Sequence, residues 1–171
     1  MKRLADFLTL SRFFLSLGIM ALGVWGGEET LPTVVMMSLL AWMTDTLDGP
    51  LARRARPRRV TWIGEQDFPV DVFMVVALLS YLVAISIVPW QGALLYLAVA
   101  TVAIWCLREQ GVALAFMAPV QAVFLYTGCR RAPTETRWVF LYLAVVLVLD
   151  WDRYCYLLSV FVNGMRRVLR V

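Results

Sequence analysis

Histidine is absent from the sequence, and lysine occurs once, at Lys2, beside fifteen arginines. The first absence removes imidazole as a base, proton shuttle or metal ligand. Charge of either sign is scarce: 16% of residues, where soluble domains carry roughly a quarter. The scarcity is regional. No charged residue occurs in the 36 positions from Val72 to Leu107, or in the 19 from Gly111 to Cys129. A spanning helix needs about 20 mostly apolar residues, so a soluble globular domain is excluded. Cysteine is limited to Cys106, Cys129 and Cys155, with no C-x-x-C pair. A disulfide framework is therefore not expected, and the three read as free, packed thiols.

What is present is 61% hydrophobic and long enough for one domain, taken as residues 1–171. The expected fold is all-α: a polytopic membrane protein of six transmembrane helices with a short N-terminal interfacial segment. Lys2 to Arg12 forms that lead-in, with Leu4, Phe7, Leu8 and Ser11 on one face. Arg12 interrupts the apolar stretch and no small-residue cleavage site follows, so the first helix reads as retained rather than as a signal peptide. The spans read as Phe7 to Gly27, Leu31 to Leu51, Gly64 to Val88, Gly92 to Leu107, Gln110 to Cys129, and a sixth from near Trp138. A break at Pro89–Gly92 divides the long uncharged run, and a polar loop, Arg130 to Arg137, precedes the sixth span.

The basic residues set orientation. With the N-terminus inside, twelve of the sixteen fall on cytoplasmic segments, including Arg53, Arg54, Arg56, Arg58 and Arg59 in one loop. Both termini are then cytoplasmic, in a cell membrane of the bacterial inner-membrane type. The arginine-rich loop is explained by this topology and by anionic headgroups, so no nucleic-acid partner is expected. Trp25, Trp90 and Trp138 fall near outer boundaries as interfacial anchors.

Acidic side chains in such a setting are costly and tend to be functional. Asp45 and Asp48 are three apart near the cytoplasmic end of the second span. Asp67 and Asp71 are four apart near the start of the third. Both spacings put a pair on one helix face, and a short loop joins the helices. Four carboxylates in one pocket repel, and two divalent cations would neutralise them; oxygen ligands suit Mg²⁺ or Mn²⁺. Two such ions hold a phosphoryl centre with its attacking and leaving oxygens. Gly49 and Ala52 would admit a nucleotide close to the backbone, and Arg53 a phosphate. The competing reading is that the aspartates cap helix ends and pair with nearby arginines. Asp150, Asp152 and Arg153 interrupt the sixth span. Arg153 either pairs locally with Asp150 or faces an acceptor or lipid phosphate.

TDTLDGPLAR at 44–53, followed by Gly64, Asp67 and Asp71, resembles the CDP-alcohol phosphatidyltransferase signature D-x-x-D-G-x-x-A-R…G-x-x-x-D-x-x-x-D. LTLSR at 8–12 is similar to that family's N-terminal L-T-x-x-R stretch. Arg108-Glu109 resembles the R-E pair of its phosphatidylglycerophosphate and cardiolipin synthase branch. Gly64 stands three residues before Asp67 where the family has four, and the fifth helix lacks the branch's G-K-x-K-T stretch. The resemblance implies a homodimeric, six-helix transferase moving a phosphatidyl group from a CDP-linked lipid to an alcohol acceptor, with CMP released. It implies Asp45, Asp48, Asp67 and Asp71 as ligands for two Mg²⁺ or Mn²⁺ ions, and Asp71 as general base. Asp48, Gly49, Ala52, Arg53 and Gly64 would form the CDP pocket. Independently of the resemblance, a phosphorylated acceptor or lipid needs positive side chains, for which Arg108, Arg153 and the loop arginines are the candidates. The missing lysines shift the expected acceptor towards a lipid or an unphosphorylated alcohol. The alternative is a catalytically degenerate relative serving as a membrane scaffold or binding protein.

Overall fold

The computed structural model describes residues 2–54, 67–107 and 110–149, with 151, 155, 158, 159, 162 and 163. Of residues 2–6, 47–54, 67, 68 and 110 it describes the backbone alone. The described residues form α1 (Lys2–Gly26), a 3-10 turn (Gly27–Thr30), α2 (Leu31–Arg54), α3 (Asp67–Ala84), α4 (Trp90–Leu107), α5 (Gln110–Arg131) and α6 (Pro133–Leu149). No strand occurs among them. The fold is all-α and has the character of a polytopic membrane protein.

Three stretches are long and apolar enough to cross a membrane: Phe7–Thr46, which contains most of α1 and α2, Trp90–Leu107 and Gly111–Arg131. Pro69–Ala84 is a shorter apolar helix. The polarity of the bundle is inverted relative to a soluble protein. Trp25, Trp105, Val148 and Leu149 point outward, while Thr9, Arg12, Ser16, Ser38, Thr127 and Thr136 are buried. An exterior of this kind suits a hydrocarbon solvent. Four of the buried hydroxyls are satisfied locally: Ser16, Ser38, Thr127 and Thr136 each donate to the carbonyl four residues back.

The lead-in and the first span are one continuous helix. At 1.5 Å per residue, α1's 25 residues extend about 37 Å, more than a hydrocarbon core of about 30 Å. Its inward face is Thr9, Arg12, Ser16 and Ile19, at three- and four-residue spacing, and Phe7 faces out. Gly27 at φ +58° turns the chain, and Thr30 Oγ1 donates 2.8 Å to the Gly27 carbonyl, so α1 and α2 form a tight hairpin.

Boundaries differ most from expectation at two places. The third helix stops at Ala84, not Val88. Ser86 adopts φ +60°, and the amides of Ile87 and Val88 fold back onto the Leu82 carbonyl. The expected polar loop from Arg130 to Arg137 is instead helical on both sides of Ala132. Pro133 opens α6, a position where its missing N–H costs nothing. There the Thr136 Oγ1 lies 2.6 Å from where a Gly128 Cβ would stand, so the glycine lets α5 and α6 meet. The cysteines are free as expected but exposed rather than packed.

The core is centred on α3. Ala77, Leu78, Tyr81 and Leu82 are fully buried against Ile19 of α1, Val34 and Val35 of α2 and Phe124 of α5. Phe13 stacks on Phe73 at 5.2 Å between ring centres. A Cβ on Gly23 would come within 3.2 Å of Ala84 and Tyr81. These contacts lock α1 alongside α3. At the far end of the bundle, Arg131 bonds Glu28 at 2.5 Å, tying the α5–α6 corner to the 3-10 turn.

Candidate active site

The candidate site lies where α1, α2 and α3 converge. Asp45 is fourteen residues past the start of α2, about 21 Å along the helix. Asp71 is on the second turn of α3. Their carboxylates meet on one atom. Arg12 Nη1 donates to Asp45 Oδ1 at 2.9 Å and to Asp71 Oδ1 at 2.7 Å. The Arg12 side chain is 2% exposed, whereas those of Asp45 and Asp71 are 42% and 43% exposed. The cation thus lies behind the carboxylates, and the carboxylates face open space.

That space is a cavity of about 160 Å³ lined by Arg12, Asp45 and Asp71, by Ala41 and Trp42 of α2, and by Met74 of α3. The remaining wall is one face of α5: Leu114, Met117 and Gln121. Ser16 fixes the floor, donating 2.8 Å to the Arg12 carbonyl and 3.2 Å to the Met74 sulfur. The α2 wall is held from α6. The Tyr142 hydroxyl and the Thr46 hydroxyl both donate 2.8 Å to the Trp42 carbonyl, and the two hydroxyls also touch.

The helix backbone carries Asp48, Gly49, Ala52 and Arg53 on the last turns of α2 and Asp67 at the first residue of α3. Their side chains lie outside the described residues, as do Gly64, Arg108 and Arg153. Among the described residues, no group of three acidic, histidine or cysteine side chains is gathered for a metal. Asp45 and Asp71, which share one nitrogen, are the two described carboxylates at the opening. A purely oxygen donor set, in a chain without histidine, fits Mg²⁺ or Mn²⁺ better than a softer metal.

Arg12 was not given a site role by the sequence motif. The competing reading paired the aspartates with the nearby loop arginines. The loop arginines' side chains lie outside the described residues; among the described ones, Asp45 and Asp71 pair with Arg12 on α1, 33 and 59 residues distant in sequence. A signal was present: an arginine inside an apolar helix requires a carboxylate, and four lay at the same membrane end. Gln121 was likewise missed, because one amide in an apolar helix carries no spacing pattern.

Carboxylates on two adjoining helices, at an opening in a membrane bundle, match a sequence finding. The profile of the CDP-alcohol phosphatidyltransferase family covers residues 2–165. The chain belongs to that family. No curated protein and no solved structure matches it significantly. CDP-alcohol phosphatidyltransferases transfer a phosphatidyl group from a CDP-alcohol in lipid synthesis, which places this chain in the transferase class and among membrane lipids. The family is generally divalent-metal dependent. Membership draws the α1 segment with Arg12, the α2 segment from Thr44 to Arg53 and the start of α3 into one family unit.

Proposed function

We propose that the chain transfers a phosphatidyl group from CDP-diacylglycerol, or a related CDP-linked lipid, to an alcohol acceptor, with release of CMP. The convergence of Asp45 and Asp71 on Arg12 at an open cavity carries this reading, because it sets the two halves of the aspartate motif side by side. Asp45, Asp48, Asp67 and Asp71 would hold two Mg²⁺ or Mn²⁺ ions, which when bound neutralise the diphosphate and stabilise the leaving CMP oxygen. Gly49, Ala52, Arg53 and Gly64 would seat the CDP group.

Asp71 is the general base. It lines the cavity and is 43% exposed, so an acceptor hydroxyl entering there reaches its carboxylate. As Asp71 takes the hydroxyl proton, the acceptor oxygen attacks the phosphorus bearing the lipid. The bond to the CMP oxygen breaks, and CMP leaves with the electron pair. The cavity wall from α5 presents an amide, a thioether and a leucine. That wall suits an uncharged hydroxyl-bearing acceptor, either a simple alcohol or a lipid, with Arg108 and Arg153 serving any phosphate further out. The site faces the cytoplasm, and the working form is a homodimer.

The test is CMP release from CDP-diacylglycerol with Mg²⁺ or Mn²⁺ and a panel of alcohols. Release is expected with at least one acceptor, and Asp71→Asn should lower it more than about 100-fold, as for loss of a positioned base. If the purified chain releases no CMP with any acceptor, the membrane-scaffold reading replaces this one.

A further inference from the structure

Arg12 is the best-buried charged side chain described, at 2% exposure, and it touches carboxylates on two other helices through one nitrogen. We infer that Arg12 is a positioning residue: a permanent internal cation that draws Asp45 and Asp71 to one point and sets the net charge of the site. The inference rests on the reading of Asp45 and Asp71 as the reaction site.

Three observations support it. First, the arginine is held rigidly. Its helix is locked to α3 by the Phe13–Phe73 stack, the Ser16–Met74 contact and the close approach at Gly23. A guanidinium fixed in this way converts helix packing into a fixed separation of two carboxylates. Second, the geometry is one-sided. The arginine is covered while both carboxylates are about two-fifths exposed. Ligands therefore approach the face opposite Arg12, and its charge persists whether or not they are bound. Third, the charge count shifts by one unit with it. Four aspartates and two divalent cations cancel, leaving a neutral site. Arg12 adds one positive charge, and the loaded site then attracts an anionic diphosphate. At the reduced dielectric of a membrane bundle, a unit charge at this range is a large term.

A role limited to packing would be met equally by an apolar side chain. An ionic role predicts that Arg12 matters most when no external cation shares the work, and that lysine partly replaces it. The test uses the full chain purified in detergent, with Arg12→Lys, Arg12→Met, and Arg12→Met in an Asp45→Asn/Asp71→Asn background. Thermal unfolding is followed in EDTA and in saturating MgCl₂, beside CMP release.

Arg12→Met should lower the Tm by at least about 5 °C more in EDTA than in Mg²⁺, where about 2–4 °C corresponds to 1 kcal/mol in a chain of this size. Arg12→Lys should recover at least about half of that difference. It should also retain kcat within about tenfold of wild type, where Arg12→Met loses about 100-fold or more. In the Asp45→Asn/Asp71→Asn background, Arg12→Met should cost much less Tm than in the wild-type background, because the buried charge it removes has lost two carboxylates. Equal Tm losses in EDTA and Mg²⁺, or in both backgrounds, would overturn the inference and leave a packing residue. If Arg12→Met alone does not fold, Arg12→Lys and the Asp45→Asn/Asp71→Asn background decide by the same comparisons. A wild-type chain that shows this Tm pattern but never releases CMP would sink the proposed reaction and leave the positioning role standing.

Discussion

Gln121 shows how one side chain sets what a cavity accepts. It stands with Leu114 and Met117 on the α5 wall, facing the space that Asp45 and Asp71 line. An amide offers a donor and an acceptor to a hydroxyl but no countercharge to a phosphate. Gln121→Lys should therefore raise kcat/KM for a phosphorylated acceptor relative to a neutral one by about tenfold, the value of roughly 1.4 kcal/mol of differential binding. Competition between glycerol and glycerol 3-phosphate in the CMP-release assay measures it, and an unchanged ratio would remove Gln121 from the acceptor site. The sequence made the aspartates visible at this scale, because their spacing and their cost in an apolar chain both mark them. Arg12 was marked as part of a motif but not given its partners, and Gln121 was not marked, since their meaning lies in which helices their neighbours occupy.

Helix pairs impose the next constraint. The α1–α3 contact is tight at Gly23, where a Cβ would lie 3.2 Å from Tyr81 and Ala84. Gly23→Val would force the helices apart. Overpacking of this kind costs about 1–3 kcal/mol, so the Tm should fall by about 3–10 °C. Activity should fall further than stability alone explains, since Arg12 rides on α1 and Asp71 on α3. Purified Gly23→Val with normal Tm and normal CMP release would contradict this. At this scale the helices themselves were legible from run length and breaks. The ends were not. Arg130 to Arg137 is polar enough to suggest a loop, yet Arg131 pairs with Glu28 and Pro133 starts a helix, so charge there is spent at a helix corner. The free cysteines were legible as unpaired, but a membrane helix turns its softer residues outward, so their packing was not.

For the whole molecule, the two ends of the bundle carry different chemistry. Asp45, Asp71 and the C-terminus of α4 share one end; the 3-10 turn, Glu28 and the end of α5 share the other. Cys106 and Cys129 are exposed and fall at these opposite ends. Single-cysteine variants give a direct test of the proposed orientation. An impermeant maleimide should label Cys129 in intact cells and Cys106 only after permeabilisation, and the reverse pattern would invert the topology. Chelation is a second global test: EDTA should abolish CMP release, and excess Mg²⁺ or Mn²⁺ should restore it. Overall architecture was the most legible level, because scarcity of charge over long runs leaves few alternatives to a membrane bundle.

The buried hydroxyls bear on biogenesis. Ser16, Ser38 and Thr127 each find an acceptor within their own helix and Thr136 finds one on Ala132 just before its own, so these hydroxyls need no partner from another segment. Arg12 differs, for the carboxylates of Asp45 and Asp71 arrive on later segments. Insertion of the first hairpin supplies Asp45, and emergence of the third helix supplies Asp71. The nascent chain thus carries its own incentive to bring the third helix home against the first two.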